Sequence, residues 1–138
     1  MKQLSILFFL LLSGTYSLKA QDSYTLTVNF INIQSNKGAI YVALHNNEAG
    51  FLKVRYKQAI VSINNNKATA TFTDLPENSY AVAAFHDVNE NGKMDTNFIG
   101  IPKEPIGISN NAKGFMGPPK FNNAKFLLNK NTVIGIEF

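Results

Sequence analysis

Apolar and polar residues alternate along most of the chain with a period of two rather than 3.6. Tyr24-Thr25-Leu26-Thr27-Val28-Asn29-Phe30 alternates without a break, which predicts a half-buried strand. Farther on, Ile40, Val42 and Leu44 face one way while Tyr41, Ala43 and His45 face the other. Asn36-Lys37-Gly38 lies between these two strands and carries turn chemistry, so they are expected to pair as a hairpin. Residues 46–57 are mixed and suit a short helical turn or an irregular crossover. Gln58 to Ile63, Lys67 to Thr73, Ser79 to His86, Ala124 to Leu128 and Thr132 to Glu137 read as further strands, and Asn64-Asn65-Asn66 as a turn. Ser79 to His86 is small and apolar, which suits a central position. About seven short strands separated by turn signals predict an all-β, antiparallel β-sandwich, immunoglobulin-like or transthyretin-like. No segment carries the long 3.6-period stripe of a helical bundle.

Two stretches break the strand rhythm. In Thr73-Asp74-Leu75-Pro76-Glu77-Asn78-Ser79-Tyr80, Pro76 fixes φ and Tyr80 opens the next strand. That spacing predicts a corner in which the tyrosine hydroxyl bonds back to upstream backbone. Residues 87–123 hold Gly92, Gly100, Gly107, Gly114, Gly117 and four prolines, and no sustained period. Connections of that length are functional or disordered. Phe98, Ile99, Ile101, Ile106, Ile108, Phe115, Met116 and Phe121 make this one too apolar for a linker. It is expected to fold back over an edge or end of the sandwich as one long ordered loop.

The chain is 138 residues long, 45% hydrophobic and 16% charged, which fits one globular domain. Cysteine is absent, which excludes a disulfide framework, a zinc-thiolate site and a thiol nucleophile. Residues 1–20 read as a signal peptide: Lys2 is the positive start, Leu4 to Leu12 the apolar run and Ala20 the small residue before cleavage. Losing Lys2 and Lys19 with it lowers the formal charge from +4 to +2. The remaining chain, 21–138, is the sandwich domain. Export makes a periplasmic or secreted location the expectation. Only Lys53, Arg55 and Lys57 cluster among the basic residues, which argues against a nucleic-acid partner. No other run is long enough to span a bilayer.

The chemistry concentrates in Asp87-Val88-Asn89-Glu90-Asn91-Gly92-Lys93-Met94-Asp95, a D-x-N-x-N-G-x-x-D pattern. Side-chain oxygens at Asp87, Asn89, Asn91 and Asp95, with the Lys93 backbone carbonyl, are the ligand logic of a hard-cation loop turning at Gly92. Ca²⁺ is the expected cofactor. Phe98 stands where an EF-hand carries its bidentate glutamate, so binding on the order of 10⁻⁴–10⁻³ M is expected. Glu104 is near enough in sequence to supply another oxygen. The competing reading is a run of Asx-turns with no metal.

Other chemistry is sparse. His86, Asp87 and Glu104 are the candidates for a hydrolase-type site under the long loop, with Asp87 and Glu104 as paired carboxylates. His45 and His86 are candidates for a shared metal. No G-x-S-x-G, H-E-x-x-H or phosphate loop is present. The preferred reading is non-catalytic: an exported module binding a protein or glycan at the cell envelope. A purely structural envelope component is the third possibility.

The run from His86 to Pro105, with Gly107-Ile108-Ser109-Asn110-Asn111 and Gly117-Pro118-Pro119-Lys120-Phe121, resembles the DUF2141 family of exported bacterial proteins. The resemblance covers nearly all of the chain after residue 20. It implies a small β-sandwich with a long ordered loop, and it brings no established activity or catalytic residues.

Overall fold

The computed structural model describes residues 20–138, so the expected signal segment, its last residue Ala20 apart, lies outside the described residues. The elements in chain order are β1 (Ser23–Ile31), β2 (Ala39–His45), β3 (Lys57–Ser62), β4 (Ala68–Pro76), β5 (Asn78–Asp87) and β6 (Ile106–Ile108). A 3-10 turn (Ser109–Asn111), α1 (Phe121–Ala124), β7 (Phe126–Leu128) and β8 (Thr132–Glu137) follow. The molecule is an all-β sandwich of two sheets. One runs β4-β1-β8; the other runs β3-β2-β5-β6, with β7 also paired to β5. No helix among the described residues is long and apolar enough to cross a membrane.

Alternation assigns the faces correctly. Leu26, Val28 and Phe30 of β1 and Ile40, Val42 and Leu44 of β2 are all buried in one core with Tyr80, Val82, Leu128 and Ile136. The expected β1–β2 hairpin does not form. β1 pairs antiparallel with β4 and parallel with β8, and β2 pairs with β3 and β5. The connection, with Asn32 and Gly38 at positive φ, carries the chain from one sheet to the other. Period two fixes which side a residue faces, not which strand lies beside it.

The Asn64-Asn65-Asn66 turn forms as expected, with Asn65 at φ 50° and Asn66 at φ 58°. The corner before β5 forms too: the buried Tyr80 hydroxyl donates to the Pro76 carbonyl at 2.8 Å. Burial, with Tyr56 adding to it, pushes the Tyr80 phenol up to about 12. β5 is central in its sheet, as its composition predicts.

The long segment pairs with β5 through β6, but its apolar residues divide. Ile108, Phe121 and Ala124 pack with Phe51 and Ala81 in a second small core. Phe98, Ile99, Ile101, Phe115 and Met116 do not fold back: they are 98%, 65%, 54%, 91% and 95% exposed. Ser109, fully buried, joins three elements. Its hydroxyl donates to the Ala124 carbonyl at 2.6 Å and accepts the Val82 N–H at 2.9 Å.

Candidate functional site

The acidic loop leaves the end of β5. Asp87 pairs with Ala39 in the β2–β5 ladder, so strand register fixes where the loop begins. The approach is close: a Cβ on Gly38, at φ +75°, would clash with the Asp87 carbonyl oxygen. Asp87 is buried, and its carboxylate accepts the Asn91 N–H at 3.2 Å and the Gly92 N–H at 2.8 Å, which curls the chain back over the strand end. Gly92 makes the turn at φ +76° and sits against the Tyr41 hydroxyl.

Asn89, Asn91 and Asp95 then close on one another. Asn89 Nδ2 donates to Asp95 at 2.6 Å, and Asn91 Nδ2 donates to both Asp95 oxygens at 2.9 and 3.0 Å. The amide oxygens point the other way. Asn89 Oδ1 accepts the Asn91 N–H at 3.3 Å, and Asn91 Oδ1 accepts the Lys93 N–H at 3.1 Å. These are consecutive Asx-turns with their donors turned onto one carboxylate. The donors of Asn89 and then Asn91 hold the Asp95 carboxyl below the usual carboxylate range; Lys93 and Lys103 push the same way, and desolvation opposes them. Lys93 contributes its N–H to the turn and an exposed side chain.

Glu104 clips the loop at its base, a role that the sequence reading missed. One carboxylate oxygen accepts the Val88 N–H at 3.2 Å and the other the Asp95 N–H at 3.1 Å. Lys103 N–H to the Asp95 carbonyl at 2.8 Å closes the same neck. Beside it lies an open depression of about 450 Å³, lined by Val88, Asn89, Asp95, Thr96, Lys103, Glu104 and Pro105. Asn89, Asn91 and Asp95 are gathered at one point, while the Asp87 carboxylate is held on the Asn91 and Gly92 N–H groups; the gathered side chains are short and oxygen-bearing and suit a hard cation once the amides rotate half a turn. Among the described residues, no three His, Cys, Asp or Glu side chains are grouped to hold an ion, so the asparagines are indispensable to such a site.

His86, Asp87 and Glu104 do not converge. Buried His86 pairs through Nε2 with the Lys37 carbonyl at 2.6 Å and packs against Phe138. Asp87 and Glu104 are committed to separate sets of backbone N–H groups. His45 lies beside Ala81, five residues along β5 from His86. That is about 17 Å at a strand's rise, so the two histidines share no metal. His45 bonds the Val54 carbonyl at 3.0 Å and packs on Phe51.

A row of apolar side chains crosses the outer face of the larger sheet. The register places Ile60 beside Tyr41, Tyr41 beside Phe85 and Phe85 beside Ile106. The Tyr41 and Phe85 rings stack with centroids 5.0 Å apart.

Two sheets, a tyrosine corner and an asparagine-rich loop clipped by a glutamate define a small β-sandwich with a built loop at one end. The chain belongs to the DUF2141 family: the family described as "Uncharacterized protein conserved in bacteria (DUF2141)" matches residues 28–135. No curated protein and no solved structure matches it.

Proposed function

We propose that the protein is exported to the cell envelope and serves there as a non-catalytic module binding a protein or glycan, its long segment stiffened by a weakly held Ca²⁺. Asp87, Asn89, Asn91, the Lys93 carbonyl and Asp95 are the ligands. The observation that carries the reading is the closure of Asn89 and Asn91 on Asp95 within 2.6–3.0 Å. Half a turn of each amide replaces donor by oxygen at the same point and gives up two Asx-turn bonds in exchange for the cation. Glu104 supports the neck from which the ligands project.

The apolar row through Tyr41 and Phe85 supports a binding role, since such a surface beside polar amides suits a sugar face or a peptide. The divergence of His86, Asp87 and Glu104 supports the absence of catalysis. The exposed Phe98 and Phe115 speak against a purely structural component.

Thermal melts test the cation. With a dissociation constant in the weak range, 5–10 mM Ca²⁺ adds about 1–3 kcal/mol over chelator, a rise of several degrees. Asp95→Asn removes the response. A melting temperature indifferent to Ca²⁺ overturns the cation reading. Retention on isolated envelope material tests the module: it should fall in a Tyr41→Ser, Phe85→Ser variant that melts like its parent, and unchanged retention refutes that surface.

A further inference from the structure

Asn91 is the one asparagine of the chain that is followed by glycine. Glycine carries no Cβ, so the nitrogen after Asn91 is the least shielded of any that follows an asparagine here. A Cβ on Gly92 would find only the Tyr41 hydroxyl within 4 Å, at 3.6 Å, and both residues of the pair are exposed. Water reaches the pair and a small leaving molecule can depart.

The hydrogen bonds of the loop set up one reaction of this pair, closure of the Gly92 nitrogen onto the Asn91 side-chain carbonyl. The Asp87 carboxylate accepts the Gly92 N–H at 2.8 Å, which puts a base on the proton that the nitrogen must lose. Asn91 Oδ1 accepts the Lys93 N–H at 3.1 Å, so a donor already faces the oxygen on which negative charge develops. Asp95 holds Asn91 Nδ2 with both its oxygens, at 2.9 and 3.0 Å, and keeps the amide from rotating away. A base, an oxyanion donor and a fixed electrophile thus meet on one exposed dipeptide.

We propose that Asn91 is a self-modification site, at which the loop converts its own amide to an acid. The Gly92 nitrogen bonds to Asn91 Cγ and gives up its proton through Asp87. The Cγ–Nδ2 bond breaks, and Nδ2 leaves as ammonia with that proton, closing a succinimide ring. Water then opens the ring at either carbonyl, giving aspartate, or isoaspartate with the main chain routed through the side-chain carbon. Aspartate at 91 adds a carboxylate beside Asp95; isoaspartate lengthens the backbone at the turn. Asn97 is the internal contrast. Its side-chain oxygen likewise accepts an N–H two residues on, that of Ile99 at 3.0 Å, but the nitrogen that follows it belongs to Phe98.

The test is incubation of the full chain at neutral pH in chelator, folded and in parallel unfolded in urea, followed by peptide mapping with mass spectrometry. Chelator makes the result independent of the cation reading, which the melts address. The folded chain should gain the mass of an amide-to-acid conversion at Asn91, faster than the unfolded chain, while Asn97 keeps its amide. Asp87→Asn should slow conversion of the folded chain about tenfold or more and leave the unfolded rate unchanged. An Asn91 amide that survives folded incubation, or that converts more slowly than in urea, overturns the proposal. An unaltered folded rate in Asp87→Asn also overturns it.

Discussion

Tyr80 shows how much one polar atom can hold. Its hydroxyl is the only bond tying that buried ring to the Pro76 carbonyl across the corner. Tyr80→Phe should cost about 1–2 kcal/mol, seen as a lower urea midpoint at unchanged slope. His45 sets a pH response of the opposite chemistry. Burial lowers its pKa and Arg55 pushes the same way, against hydrogen bonds to the Val54 and Gly50 carbonyls. In the window between its folded value and the unfolded value near 6.5, the unfolded chain binds more protons. Stability is therefore full above about pH 6.5 and falls as pH drops through that window, by at most about 1.4 kcal/mol per pH unit. Urea melts at pH 7.5 and 5.5 should show the loss, and His45→Gln should flatten it. Tyr80 and the asparagine turn at 64–66 were legible in the sequence because their roles depend on near neighbours. Glu104 as a clip was not, because its partners, Val88 and Asp95, are defined only once the loop has folded.

At the level of elements, Ser109 is the joint that seats the second half of the long segment on β5. Ser109→Ala strands the Val82 N–H and the Ala124 carbonyl in the interior and should cost about 2–3 kcal/mol. Hydrogen exchange should quicken across 109–125 while the Asp87–Asp95 loop keeps its protection, since Glu104 and Asp87 hold that loop separately. Ser109 carries no sequence signal, because a serine beside Asn110 and Asn111 reads as plain turn chemistry. The longer strands were legible, by alternation or, for β5, by its small apolar composition; β7 was found inside the expected run Ala124 to Leu128, whose first residue instead closes α1. β6 was not: Ile106-Gly107-Ile108 is three residues, too few to establish a period. The choice of strand partners was equally hidden, since it is made by loop paths such as the inter-sheet crossing at Gly38. Apolar content in 98–116 marked the segment as unusual without revealing that Phe98 and Phe115 face solvent, because composition carries no direction.

For the whole molecule, closure depends on its last strand. β1 lies between β4 and β8, and Ile136 of β8 is fully buried in the core beside residues from both sheets. Ending the chain at Asn131 removes β8, uncovers one side of β1 and should abolish the cooperative melt altogether. The β1–β8 ladder joins Leu26 to Thr132 and Ile31 to Glu137, so the sheet brings together opposite ends of the described chain. Leu26 and Thr132 lie far apart in sequence, so the smaller sheet is completed only by a long-range parallel pairing, the kind of contact that forms slowly because its loop-closure entropy comes first.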